Sequence, residues 1–356
     1  MTLIYIDAGH RFFPASLSFN HTITNNLQEY LDSPVDKKIA LTFERFGYSH
    51  DISEYQHYVD QLKIISDASQ SVFIIESELH IDNALISTLT KNNVYWSLPG
   101  VVNDNINQIC NANFFDRLRI MYAEQFPTVL DTLIPYNTKS QYFDALLGET
   151  KPHRTFIYNS IKENQLEEKC IISYRPNQPH MQFYDPTHFV FEPGTELIND
   201  IKNVAGQVKY FEVPVVSLSY IIPIQMYNQT AYSIVAETDY NNEFSFFTEK
   251  IVKPIMARRL FVVFSGWKFL HNLRQLGFRT FDGIIDESYD LIEDTNERFS
   301  QAFDQVKFLC SQPQEEILKL IEPILEHNYN IIRLTNFTLQ ATQKVIDIIY
   351  ENSKEK

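Results

Sequence analysis

Ser233-Ile-Val-Ala-Glu237, then Thr238-Asp-Tyr-Asn-Asn-Glu-Phe-Ser-Phe-Phe247, then Thr248-Glu249-Lys250-Ile-Val-Lys253-Pro254-Ile-Met-Ala257, is the stretch on which the reading of this chain turns. It opens as a buried strand ending in a carboxylate. A polar, aromatic loop follows, and residues 248–258 read as a helix with Thr248 as its N-cap. Residues 260–264, Leu-Phe-Val-Val-Phe, are a second apolar strand. Strand, helix, strand at this spacing predicts a parallel sheet with its helices packed on the faces. The first turn of the helix offers main-chain N–H groups to an anion, and Lys250 adds a point charge suited to a diphosphate. A first-turn lysine opposes the helix dipole, and a bound anion would account for it. Glu237 and Glu249 are placed to accept hydrogen bonds from ribose or sugar hydroxyls. The same residues also suit an ordinary strand–loop–helix. Lys253 reads as solvated, Arg258 and Arg259 as cations complementing the helix end, and Pro254 as a kink.

Outward from this stretch the pattern repeats. Residues 3–6, 39–43, 72–75 and 94–98 read as strands, and 54–65 and 114–126 as amphipathic helices. Turn-like residues at 136–140 and 148–152 mark a boundary. A second alternation follows, with a helix over 155–165, a strand over 170–174 and a long loop over 176–200. The helical block 313–350 closes the chain. Its apolar spacing predicts packing, on its own domain or back onto the first. The expected fold is α/β with two Rossmann-like domains facing a cleft, the GT-B type, plus a C-terminal helix. The expected domains are 1–145 for an acceptor, 146–310 for a nucleotide sugar, and a helical segment 311–356 packing back on the first domain.

The 356 residues carry a formal net charge of −15, which disfavours a general nucleic-acid binder. No run approaches about 18 consecutive apolar residues, so no transmembrane segment is expected. Cys110, Cys170 and Cys310 are far apart and odd in number, which fits free thiols in a reducing, cytoplasmic compartment. The 9 glycines form neither GxGxxG nor GxxxxGK[ST].

The segment 236–266 resembles the donor-binding motif of the family 10 glycosyltransferases, the α1,3/α1,4-fucosyltransferases. That family carries Phe-Glu-Asn, a short polar loop, Tyr-x-Thr-Glu-Lys opening a helix, and an apolar strand ending in glycine. This chain has Ala236-Glu237-Thr238, Phe246-Phe247-Thr248-Glu249-Lys250 and a strand ending at Gly266. It departs from the pattern at Thr238, where the family has Asn, and at Phe246, where it has Tyr. Lys151-Pro152-His153-Arg154 looks like the point where the family places an arginine. The resemblance spans about residues 140–300. It implies an inverting transferase that takes its sugar from a nucleotide diphosphate, with GDP-fucose as the family's donor and a glycan as acceptor. It also implies a donor site at Glu249, Lys250 and either Arg154 or Arg175, with Glu237 and Thr248 beside them.

Inverting transfer needs one base to deprotonate the acceptor hydroxyl. The candidates follow first-domain strands: Glu76, Glu78 and His80 after one, Asp7 and His10 after another, Glu44 after a third. Each equally suits a surface position. No Asp-x-Asp and no HExxH occurs, so neither a metal nor another cofactor is expected beyond the donor itself. Two further readings stay open. One is a transferase with another donor or acceptor, modified nucleic acid included. The other is a non-catalytic binding or structural protein that kept the fold.

Overall fold

The computed structural model describes residues 1–6, 20–43, 52–75, 93–124, 128, 130–175 and 222–353. The chain divides into two compact units, 1–113 with 337–356 and 114–336. The turn-rich stretch around 145 therefore lies inside the second unit, and the segment 311–356 is shared between the two. No described helix is long and apolar enough to cross a membrane.

The first unit is built on a parallel sheet. Its strands are β1 (Thr2–Ile6), β2 (His21–Thr24), β3 (Lys37–Phe43), β4 (Ser71–Ile75), β5 (Val94–Leu98) and, after the short β6 (Gly100–Val102), β7 (Gln108–Cys110). They lie in the order β2-β1-β3-β4-β5-β7. Helices α1 (Leu27–Asp32) and α2 (Ile52–Ala68) are the described parts of the crossovers. Ile4, Ile39, Leu41, Phe73 and Ile109 form one apolar cluster on this sheet.

The second unit opens with α3 (Asn113–Glu124), which buries Phe114, Phe115, Leu118, Met121 and Tyr122 on one face. Then come β8 (Gln141–Glu149), α4 (Pro152–Glu163), β9 (Cys170–Arg175), α5 (Ile224–Gln229), β10 (Thr230–Ala236), β11 (Phe244–Phe246), α6 (Glu249–Met256) and β12 (Leu260–Phe264). Strands β12-β10-β8-β9 make a parallel sheet in that order. Every residue of β10 and β12 is buried, as expected of parallel strands covered on both faces. The unit is completed by α7 (Phe269–Gln275), α8 (Thr295–Ser311) and α9 (Gln314–Leu334). The helical block expected over 313–350 is thus two helices. Extended backbone at Thr335 ends α9, and α10 (Phe337–Ser353) belongs to the first unit. There Ala341, Val345 and Ile349 complete the apolar cluster, and Asn352 Nδ2 donates to Ser71 Oγ at 2.7 Å.

The order of the second sheet places its ligand crevice. From β8 the chain passes through α4 to β9 on one side, and from β10 through α6 to β12 on the other. Their connections leave in opposite directions, so the carboxyl ends of β8 and β10 flank a topological switch point.

Strand β8 was not legible, because its apolar run is broken by Asp144. That carboxylate is buried against Arg259, with Arg259 Nη2 to Asp144 Oδ1 at 2.8 Å and both side chains under 5% exposed. The guanidinium also donates to Ser233 Oγ, to Thr230 Oγ1 and to the carbonyls of Tyr227, Thr230 and Tyr232, at 2.7–3.0 Å. Arg259 is therefore no solvated helix-end cation; it locks β8 to β10 just before β12. Burial pushes the Asp144 pKa up, and Arg259 works against that rise. Arg259→Leu should lose roughly 3–5 kcal/mol of stability in urea titrations, because it strands a buried carboxylate. Arg259→Lys should recover only part of this, since three donors replace five.

Candidate functional site

Four cations converge at the switch point. Glu237 lies one residue beyond β10 and is 0% exposed. Its Oε2 accepts from Thr248 Oγ1 at 2.6 Å and from Thr238 N at 3.0 Å, while Oε1 accepts from Thr248 N at 3.4 Å. Thr248 is the N-cap of α6, its hydroxyl taking the N–H of Lys250 at 3.3 Å. Thr248 thus takes one N–H of the first turn of α6, and its own N–H is held by Glu237. Glu237 likewise spends its oxygens on Thr238 and Thr248, which turns an expected sugar contact into a support for the loop. Burial pushes its carboxyl up to about 7 against the pull of Lys250 and the Thr248 hydrogen bond.

The first-turn lysine finds its counter-charge in the chain. Lys250 Nζ donates to Glu249 Oε1 at 2.6 Å and to Thr238 Oγ1 at 3.0 Å. Two of its three N–H groups are used, and the third has no partner among the described residues. Burial opposes the charged form of Glu249, but Lys250 and Lys253 together outweigh it and hold its pKa below the ordinary value. Lys253 is buried at 6% exposure, contrary to the solvated position expected. Burial pulls its pKa down to about 8, with Glu249 holding it from falling further. Pro254 sits in the last turn of α6, which ends two residues on.

The loop leaving β8 meets this cluster from the other side of the crevice. Gly148 has φ +62° at a register shift between β8 and β9. A Cβ there would sit 3.7 Å from Arg154 Nη1, so the guanidinium lies along the end of β8. Lys151 is the N-cap residue of α4, and its side chain makes no capping bond; Pro152 opens its first turn. Lys151 Nζ donates to the carbonyl of Thr238 at 2.7 Å. His153 is 0% exposed. Burial first, then Arg154, pulls its pKa down to about 3. The neutral ring donates from Nε2 to the Glu237 carbonyl at 2.8 Å and lies 4.8 Å from the Tyr240 ring. The loops leaving β8 and β10 are thereby joined directly.

Of the expected donor residues, the structure brings Arg154, Glu237, Thr248, Glu249 and Lys250 together. Arg175 closes β9 at the outer edge of the sheet, and its side chain lies outside the described part. Asp7, His10, Glu44, Glu76, Glu78 and His80 also lie outside the described residues. Lys151, His153 and Thr238 belong to the site but were assigned no role from sequence. Their partners are main-chain carbonyls and a lysine twelve residues on, which leave no spacing pattern. Lys151, Arg154 and Lys250 all act on His153, Lys250 and Lys253 act on Glu249, Lys151 acts on Asp239, and burial raises the pKa of Glu237. The balance is positive, which favours an anion. Among the described residues, no group of three or more His, Cys, Asp or Glu is arranged to hold a metal ion. No family model matches the sequence, and no curated protein matches it either.

Glu237 and His153 drive stability in opposite directions with pH. The folded chain holds the Glu237 proton up to about 7, against 4.5 ordinarily. The stabilisation from this group is therefore lost as pH rises through that window. His153 binds its proton only near 3 when folded, against 6.5 ordinarily, so its contribution is lost as pH falls below 6.5. Glu237→Gln removes the first effect and leaves the second. Between about pH 5 and 6.5 its unfolding free energy should climb more steeply than that of the wild type, by up to about 1.4 kcal/mol per unit. Equal slopes in denaturant titrations would show Glu237 ionised throughout.

Proposed function

We propose that this chain is a glycosyltransferase that takes its sugar from a nucleotide diphosphate bound at the β8/β10 crevice. The observation that carries this reading is the meeting of Lys151, Arg154 and Lys250 around His153 at the switch point of a parallel sheet. Open parallel sheets hold ligands at such points, and a diphosphate suits cations and helix N–H groups. The diphosphate is assigned to the start of α4, since α6 is closed by Thr248 and Glu237. The resemblance to the fucosyltransferases supports a fucose donor and a two-domain GT-B arrangement, in which the first unit supplies the acceptor site.

In the proposed reaction a base takes the proton of an acceptor hydroxyl. Glu76, Glu78, Asp7 and His10 remain the candidates. The hydroxyl oxygen attacks the anomeric carbon as the bond from that carbon to the diphosphate oxygen breaks, and the sugar inverts. The electron pair leaves with the diphosphate, whose growing charge falls to Lys250, Arg154 and the start of α4. The Lys250 ammonium is held in place by Glu249 and Thr238 before the ligand arrives, so little reorganisation is needed.

Thermal unfolding with GDP, UDP, ADP, CDP and their sugars tests this. A nucleotide at about 100 times its Kd should stabilise the wild type by roughly 2.7 kcal/mol. Lys250→Ala and Arg154→Ala should each weaken binding by tenfold or more, the loss of one charge-assisted hydrogen bond being worth about 1.5–3 kcal/mol. Absence of a shift with every nucleotide would overturn the proposal.

A further inference from the structure

The sheet carries one more feature at its carboxyl edge that the diphosphate site does not use. After β12 the chain runs Ser265-Gly266-Trp267-Lys268 before α7 begins. Trp267 is half-buried, whereas the other tryptophan, Trp96, is 1% exposed in the first unit. The Lys268 ammonium lies 3.7 Å from the centre of the Trp267 ring. A partly exposed indole with a cation against it is unlike the aliphatic and phenyl packing of β12 itself.

The backbone that presents this pair is fixed at several points. Lys268 has φ +62°, uncommon for a residue with a side chain, and its N–H donates to the carbonyl of Asp290 at 2.8 Å. Trp267 N donates to Asn242 Oδ1 at 3.2 Å, and Asn242 Nδ2 donates to the carbonyl of Glu293 at 2.7 Å. A Cβ on Gly266 would fall 1.9 Å from the carbonyl oxygen of Asn241, so only glycine lets the two loops close. Ser265 Oγ adds a bond to the carbonyl of Asp239 at 2.9 Å.

One loop links the pair to the cations of the crevice. The loop that holds Trp267 through Asn242 begins at Thr238, which receives Lys250 on its hydroxyl and Lys151 on its carbonyl. Thr238 and Asn242 are four residues apart, a separation of at most about 14 Å even if fully extended. Both features sit at the carboxyl ends of neighbouring strands, β10 and β12.

We propose that Trp267 is the stacking platform for the nucleobase of the bound nucleotide, the base taking the ring face opposite the one covered by the Lys268 ammonium. Flat heteroaromatic bases stack on indole rings with little regard to base identity. The inference rests on the nucleotide-diphosphate reading of the crevice and adds where the nucleoside end lies.

Titration calorimetry with two probes separates the two readings. The probes are pyrophosphate and whichever of GDP, UDP, ADP and CDP binds best. Trp267→Ala should weaken the nucleoside diphosphate by about tenfold or more and leave pyrophosphate within twofold. Lys250→Ala should weaken both. Trp267→Phe keeps an aromatic ring and guards against loss of folding. It should bind the nucleotide within a few-fold of the wild type while losing the nucleotide-dependent change in tryptophan emission, because Trp96 is buried elsewhere. Unchanged nucleotide affinity in a folded Trp267→Ala, with pyrophosphate still bound, would overturn the platform and spare the diphosphate site. Failure of the wild type to bind either probe would overturn both.

Discussion

The hydrogen bond from the Thr248 hydroxyl to the buried carboxylate of Glu237 is the constraint on which the candidate site rests. It joins the end of a central strand to the start of the next helix. The same hydroxyl takes the N–H of Lys250, so the cap and the carboxylate are parts of one connection. A carboxylate without water is costly, and three donors reduce that cost without removing it. Its high pKa is the remainder of that cost. Removing Glu237 would free the cap, and with it the orientation of Glu249, Lys250 and Lys253 along α6.

A second buried carboxylate does comparable work at the other end of the sheet. Asp144 and Arg259 fix the register of β8 against β10, and that register decides which residues leave the two strands together. The loop after β8 delivers Lys151, His153 and Arg154, and the loop after β10 delivers Glu237 and Thr238. Lys151 and His153 then reach across to carbonyls of the second loop. A strand slip of one residue would turn Asp144 to the opposite face of the sheet, away from Arg259. The site therefore depends on an ion pair that touches no part of it.

Much of this frame was legible in the sequence. The strands at β1, β3, β4, β5, β9, β10 and β12 follow apolar runs, and α6 starts where Thr248 marks an N-cap. What failed was legible only in three dimensions. Asp144 interrupts the apolar run of β8, and the partner that explains it, Arg259, is more than a hundred residues away. Lys253 read as solvated and Arg259 as a cation at a helix end because burial of a cation cannot be read without the acid or carbonyls that accept it. The block 313–350 looked continuous because both halves carry helical spacing, yet Thr335 and Asn336 separate α9 from α10, which serve different units.

The two helix starts at the crevice differ in what their own residues supply. Main-chain N–H groups at a helix start attract any acceptor. At α6 the strand before it ends in Glu237, and the chain itself becomes the ligand. At α4 the N-cap is Lys151 and the first turn holds a proline, so neither residue offers an accepting side chain. Lys250 stays paired with Glu249 of its own helix and reaches back to Thr238. Glu249 and Thr238 hold its ammonium by two donors, and the third has no acceptor among the described residues. At α4 the cap position itself carries a cation, Lys151, so the charges gathered at both helix starts are ones an oxygen-rich anion would suit.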